Sequence, residues 1–342
     1  MTNPQLAQWT RFLDEQFAGD FSCRECHQKE FEAHQRSGHS HTATRMEQTE
    51  LARILSGTHF ADPRRPLVYE FENREDGFLA GVQGGDQRPV FPVHWLLGSG
   101  VHAQTPISID PVSGKGVEFR WTWFNQQQKL SVTLDHERFD EFHPHSTAVF
   151  GRPMDAKQAL ACLSCHATVI PPGNVPPLRE AVIANVSCER CHGARKKHVE
   201  LAWLGRADEA PPLLSYRDPE QSLQQCAQCH RDKSQVSPDT APNVLVRFQP
   251  YGMKQSRCYL ESGKKMTCMT CHDPHDQTSR NRIQYNSTCL ECHQGLQKTA
   301  CSLAPAGDCV SYHMPAVEWR SGIQFHDHWI RIPQKKIPQA AF

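Results

Sequence analysis

A chain of 342 residues with 37 basic and 37 acidic side chains has no net charge to draw it to nucleic acid or an anionic membrane surface. No stretch approaches the roughly 20 apolar residues of a membrane span. The apolar content of 38% is low for a chain that must fill its own core, while 15 cysteines and 20 histidines stand far above ordinary usage. Disulfide scaffolds are a device of short chains, so zinc or haem is the natural destination of so many thiols.

In chain order, residues 1–60 read as helical, with Phe and Leu recurring at helical spacing. They carry one Cys-x-x-Cys-His sequence at Cys23, Cys26 and His27. The opening residues, Met1 to Trp9, lack the basic end and apolar run of an export signal. Residues 61–150 hold no such motif and alternate β-formers with turn signals, most cleanly over 117–124 and 130–134. They predict a small antiparallel β insert, either a docking or covering surface or a packing module without chemistry.

Residues 151–342 carry five further copies. The second is Cys162, Cys165 and His166, and the third is Cys188, Cys191 and His192. The fourth is Cys226, Cys229 and His230, the fifth Cys268, Cys271 and His272, and the sixth Cys289, Cys292 and His293. Pro171-Pro172, Pro176-Pro177 and Pro211-Pro212 break this region into short pieces. Short helices and loops around haem are expected there, giving a mostly α or irregular multihaem fold with the β insert between the first and second motifs. The spacing of the copies is too irregular for a solenoid.

The motif has a physical logic. Two thiols three residues apart both reach the vinyl groups of one porphyrin, and the next residue places an imidazole on the iron. Zinc ribbons also use Cys-x-x-Cys, but they do not need His after every second Cys. Histidine fills 20 of 342 positions, so six recurrences by chance are on the order of 10⁻⁷ or less. A thioredoxin-like centre predicts one such unit. Six haems c are therefore expected, with His27, His166, His192, His230, His272 and His293 as proximal ligands. Over residues 151–342 porphyrins would supply much of the apolar interior, the apoprotein should not fold, and neighbouring macrocycles should approach contact.

Three cysteines remain. Cys309 opens a broken copy, Cys309-Val310-Ser311-Tyr312-His313, in which Tyr312 replaces the second thiol. One thioether and an axial His313 suffice for a seventh haem, and a decayed empty site is the alternative. Cys258 and Cys301 are then left for a disulfide, which an oxidising compartment permits.

Thirteen histidines lie outside these motifs, enough for a second imidazole on every iron. Five have informative surroundings: His39 in Ser-Gly-His-Ser-His, His102 in Gly-Ser-Gly-Val-His, His198 after the third motif, His275 in Cys-His-Asp-Pro-His, and His328 in Phe-His-Asp-His-Trp. His34, His41, His59, His94, His136, His143, His145 and His326 have less context. Met154, Met253, Met266 and Met269 are available but not required.

Several phrases together are more specific than the haem motif: 98–103, 191–199, 256–259, 265–275, 308–315 and 327–333. On these the chain resembles multihaem cytochromes with a cytochrome c-552/4-like, or cytochrome c-554-like, domain, relatives of the tetrahaem carrier and octahaem oxidoreductase of nitrogen metabolism. The resemblance implies that His39, His102, His198, His275 and His328 act as distal ligands. It also implies that Cys309 and His313 match an ordinary haem motif, with Tyr312 a departure from it. The tetratricopeptide repeats found in relatives are absent from this sequence.

Two functions are compatible with these residues. One is an electron carrier with bis-His haems, exchanging electrons with redox partner proteins or quinone-linked donors. The other is an oxidoreductase with one open haem acting on a small nitrogen or sulfur compound. No cluster of proton donors or cations marks an open site in the sequence, which favours transfer. A structural or sensing module is a third and weaker reading, because six haems exceed what rigidity requires. Thioether attachment takes place outside the cytoplasmic membrane, so a periplasmic or extracellular location is expected despite the N-terminus as written.

Overall fold

The computed structural model describes residues 3–83, 88–143, 146–173, 175–213, 218–293 and 308–332. The chain divides into two compact units, Met1–Leu214 and Ser215–Phe342. The division falls inside the segment 151–342, because the second and third motifs are tied to the first unit.

The first unit opens with helix α1 (Pro4–Gln16), started by Asn3, whose side chain accepts from the Gln5 and Leu6 amides, and by Pro at its first position. Its Trp9 indole donates to the Ala181 carbonyl at 2.8 Å. Helix α2 (Gln28–Arg36) follows the first motif directly and buries Phe31 and His34. After β1 (Ala43–Arg45), the short α3 (Glu50–Leu55) is capped by Thr49 and buries Leu51, Ala52 and Leu55.

Ten further strands follow: β2 (His59–Ala61), β3 (Val68–Arg74), β4 (Gly77–Gln83), β5 (Val90–Val93), β6 (Trp95–Leu97), β7 (Ala103–Ile109), β8 (Gly116–Phe119), β9 (Trp121–Phe124), β10 (Lys129–Val132) and β11 (Gly151–Met154). Strands β2-β3-β4-β5 form an antiparallel sheet. A branched sheet runs β1-β6-β7-β8-β11, with β9 pairing both β7 and β10. Alternation sets the buried face: Tyr69 and Phe71 on β3, Phe78, Ala80 and Val82 on β4. These meet Phe119 and Trp121 in one apolar core, where the Phe71 and Trp121 rings lie 4.6 Å apart. Inside it Arg120 is fully buried and paired with Asp62 at 2.7 Å.

The β region is therefore larger than the insert expected at 61–150. It recruits β1 at one edge, Ala43 pairing with Leu97, and β11 beyond the other end, Arg152 pairing with Glu118. It also has a conventional side-chain core, so the interior of this unit does not depend on porphyrin alone.

Helix α4 (Ala156–His166), with a capping box from Asp155 and Gln158, carries the second motif in its last turn. It lies against β8 and β11 around Gly116, where a Cβ would stand 2.6 Å from the Ser108 carbonyl oxygen and 3.1 Å from Met154 Cε. Strands β12 (Ala167–Val169) and β13 (Ile183–Ala184) then lead to α5 (Cys188–His192), which is the third motif, and α6 (Lys196–Trp203).

The second unit consists of α7 (Pro219–His230), α8 (Pro242–Leu245), α9 (Gln249–Lys254), α10 (Arg257–Glu261), α11 (Arg282–His293), α12 (Cys309–His313) and the hairpin β14 (Ala316–Arg320)–β15 (Ile323–His326). Its apolar cluster among the described residues is small: Leu223, Met253 and Tyr259, with Met266 and Cys268 against them. The two units thus differ in how they fill their interiors. No helix among the described residues is long and apolar enough to cross a membrane.

Candidate haem-binding sites

Each motif folds as a helical turn. The His27 amide donates to the Cys23 carbonyl at 2.8 Å, and the His272 amide to the Cys268 carbonyl at 2.9 Å. Elsewhere the turn ends a longer helix: α4 at His166, α7 at His230, α11 at His293. Residues i, i+3 and i+4 of such a turn share one face, so both thiols and the imidazole point to the same side. That is the arrangement a porphyrin edge and its iron require.

The thiols themselves differ in exposure. The first of each motif, Cys23, Cys162, Cys188, Cys226, Cys268 and Cys289, is half-buried. So are the second thiols Cys165 on α4, Cys191 on α5, Cys229 on α7, and Cys271. Cys26 and Cys292 are exposed instead. The sequence rule treats all six motifs alike, with porphyrin as the apolar interior. Cys26 precedes the start of α2, and Cys292 stands in the last turn of α11. Cys165 has the Ser164 hydroxyl 3.8 Å from its sulfur.

Four of the imidazoles are held by one nitrogen. His166 Nδ1 lies 2.8 Å from the Thr42 carbonyl oxygen, His313 Nδ1 3.1 Å from that of Arg331, and His328 Nδ1 2.9 Å from that of His326. A carbonyl only accepts, so in each ring Nδ1 carries the hydrogen and Nε2 keeps its lone pair for a metal. His230 Nδ1 is similarly placed 3.1 Å from Gln249 Oε1. Burial pushes the His328 imidazole down to about 4, which keeps the ring neutral and its lone pair available at neutral pH.

Two of the expected distal histidines face a motif histidine. The rings of His27 and His198 lie 6.4 Å apart at 32°, and those of His272 and His328 lie 6.2 Å apart at 36°. A metal–nitrogen bond of about 2.0 Å on each side, plus about 1.1 Å from nitrogen to ring centre, gives roughly 6.2 Å for imidazoles sharing one metal. Ordinary aromatic contacts cover that range too. The distinguishing feature is that each pair joins a motif imidazole to one from the distal set. His198 follows the third motif in sequence yet faces the first.

The remaining candidates are placed as follows. His39 offers its carbonyl to the Val186 amide at 3.0 Å, just before the third motif, and His102 offers its carbonyl to the Asn125 amide at 2.9 Å. His275 Nδ1 lies 3.2 Å from Asp273. His34 and His136 are engaged within the fold, with Val186 and Glu118 respectively. Cys258 is a half-buried thiol on α10. Cys301 lies outside the described residues, and the expected Cys258–Cys301 pairing with it.

First cysteines of different motifs are neighbours. Cys23 hydrogen-bonds Cys188, and the contact lowers the Cys23 thiol while raising that of Cys188. Hydrogen bonding with Cys268 draws Cys226 down to about 7. The first pair is clamped by Glu189, the residue between Cys188 and Arg190, which is 3% exposed. Its carboxylate accepts from the Ala18 amide (3.0 Å), the Gly19 amide (3.0 Å) and the Arg195 amide (2.8 Å). Asp20 accepts from the Cys188 amide at 3.0 Å.

Sequence reasoning missed these supporting residues. Nothing distinguishes Glu189 from any other residue inside a motif. Ser256 had a signal, since it begins the phrase 256–259. Its hydroxyl donates to the His328 carbonyl at 3.1 Å and accepts from the Ile330 amide at 2.8 Å. The surroundings also fit haem in their chemistry. Met269, Leu290, Ile283 and Trp329, close in sequence to the fifth and sixth motifs and to His328, are large apolar side chains with 41–75% of their surface exposed, area that a porphyrin would cover.

Repeated turns bearing two thiols and a metal-ready imidazole, two of them facing a second imidazole, define a protein built to hold several haems c. A family model described as cytochrome c554 and c-prime matches residues 122–193, which include the second and third motifs. The dissimilatory sulfite reductase MccA of Wolinella succinogenes is 27% identical over 201 residues, covering 45% of this chain and 26% of that protein. This chain thus spans about a quarter of that relative. The outer cell wall cytochrome OcwA superposes with a TM-score of 0.49 and 13% identity, over 92% of this chain and 79% of that one. The chain is a multihaem c-type cytochrome.

Proposed function

We propose that this cytochrome is an exported electron carrier whose haems are mostly six-coordinate with two imidazoles. The observation that carries the reading is the pair of facing rings, His27 with His198 and His272 with His328. An iron closed on both faces has no position for substrate and changes only its charge. In this reading His198 and His328 close the first and fifth haems, and His39, His102 and His275 serve others. The second thiols Cys165, Cys191, Cys229 and Cys292 complete the attachment of the second, third, fourth and sixth haems, as Cys26 and Cys271 do for the first and fifth. The neighbouring thiols Cys23/Cys188 and Cys226/Cys268 bring the first haem beside the third and the fourth beside the fifth, giving short steps for the electron. Redox partner proteins or quinone-linked donors in the periplasm or outside the cell would load and unload it.

The chain's own residues orient and exclude. Thr42 and the carbonyl of residue 326 fix ring tautomers, Glu189 fixes the spacing of two motifs, and the haem itself supplies the reversible one-electron chemistry. The test is the oxidised spectrum with cyanide and with nitrite. Low-spin haem that binds neither supports the carrier, and one ligand-binding haem per chain overturns it in favour of catalysis.

A second reading, an oxidoreductase of a small sulfur or nitrogen compound, has its own support. The segment 215–342 has four motif histidines, His230, His272, His293 and His313, but only three others, His275, His326 and His328. With all four irons present, one has no second imidazole from its own unit. The relative named as a sulfite reductase agrees with sulfur chemistry.

A further inference from the structure

The broken seventh motif is constructed as carefully as the intact ones. Helix α12 runs from Cys309 to His313, matching α5, which runs from Cys188 to His192. Asp308 caps it, accepting from the Ser311 amide at 3.1 Å, and is itself paired with Arg282 at 2.6 Å. The Val310 amide reaches Asn286 Oδ1 at 3.4 Å, tying the turn to α11, whose last turn is the sixth motif. The His313 ring is held by Nδ1 on the Arg331 carbonyl, as His166 is held on Thr42, so Nε2 keeps its lone pair. A decayed site has no need of an oriented imidazole. Tyr312, where the second thiol would stand, sets its ring 5.0 Å from that of His313 at 82° and is 37% exposed.

We propose that Cys309 and His313 hold a seventh haem through a single thioether, with Tyr312 lying against the second vinyl group, which stays unreacted. In attachment the Cys309 S–H adds across one vinyl C=C. Sulfur bonds to the carbon next to the ring, the hydrogen goes to the outer carbon to make a methyl group, and nothing leaves. The polypeptide gains the whole mass of one haem, with no net oxidation or reduction. The proposal rests on the c-type identity and is independent of the choice between carrier and catalyst.

The test is denaturing mass spectrometry of the exported holoprotein together with its pyridine haemochrome spectrum. Wild type should carry seven covalent haems, and its α-band should show a minor red-shifted component from the haem that keeps a vinyl group. Cys309→Ala should carry six and lose that component. Tyr312→Cys should carry seven and also lose it, because the second thioether forms. Six haems in wild type, or seven in Cys309→Ala, overturns the proposal. Seven with no vinyl component overturns the single linkage and assigns the second vinyl to another thiol. If Cys309→Ala does not accumulate, the wild-type mass and spectrum decide. Cyanide binding tests the carrier reading separately, so the two can fail independently.

Discussion

His272 and His328 face each other with ring centres 6.2 Å apart, although one belongs to the fifth motif and the other to the segment after β15. Gly252 makes room for that segment. A Cβ there would stand 2.9 Å from the Trp329 nitrogen and 3.0 Å from the His328 carbonyl carbon, and Ser256 pins the same stretch from α9–α10. His328→Ala should convert one haem to a high-spin form that binds cyanide, read in the electronic spectrum and by electron paramagnetic resonance. Gly252→Ala should do so partially and cost about 1–3 kcal/mol from overpacking. His328→Met should stay low-spin and raise the potential of one haem. A spectrum unchanged in His328→Ala removes this residue from the iron.

Glu189 should matter beyond its size. A buried carboxylate receiving three backbone amides replaces water for all of them, so Glu189→Gln, with a neutral amide that turns donors toward donors, should destabilise the first unit by about 3 kcal/mol. At roughly 2–4 °C per kcal/mol for a unit of this size, the thermal midpoint should fall by about 6–12 °C. Circular dichroism of the holoprotein checks it. The same variant should loosen the coupling between the first and third haems, seen as a change in a potentiometric titration.

Glu118 should give the first unit a distinct acid limb. Burial alone would raise its carboxyl, but hydrogen bonds from His136 (3.1 Å) and Arg152 (2.7 Å) outweigh it and hold the group below its ordinary range. A lowered folded pKa means stability that is complete above the unfolded value of about 4.3 and lost as the pH falls through the folded one. Glu118→Gln should be less stable than wild type at pH 7, with the difference shrinking below about pH 4.3. A difference that grows on acidification would contradict the assignment.

The two units should respond differently to haem. The first has the Phe71–Trp121 core, whereas the apolar cluster described in the second comprises Leu223, Met253 and Tyr259 with Met266 and Cys268 against them. Protein made without haem attachment should retain hydrogen-exchange protection in strands β3, β4, β8 and β9. It should show none in α7 to α12. Protection spread over both units would mean that the second has a core of its own.

The haem motifs were fully legible in the sequence, because three residues at fixed spacing in one turn carry the whole chemical requirement. Their exposure was not: Cys165, Cys191 and Cys229 are half-buried while Cys292 is at the surface. The β region was legible as strands, since β-formers at 67–71, 117–124 and 130–134 are separated by turn signals and 117–123 alternates apolar with polar residues. Its extent was not, because β1 and β11 are short and are fixed by partners far away, Leu97 and Glu118. The conventional core of the first unit, with Phe119 and Trp121 fully buried, was not legible, because it forms only where strands far apart in sequence meet. The candidate distal histidines stood out in the sequence, but not which motif histidine each would face. Sequence proximity puts His198 with the third motif, and only the fold carries it to His27. Glu189 and Gly252 were invisible because each acts on backbone atoms brought near by tertiary structure.

The most direct test of the bis-imidazole cytochrome is low-temperature electron paramagnetic resonance of the oxidised holoprotein, integrated against its haem content. The expected result is at least six haems per chain, dominated by low-spin ferric signals with two imidazole ligands and unmoved by cyanide. A chain without haem, or one whose irons are mainly high-spin and take up cyanide, would contradict it.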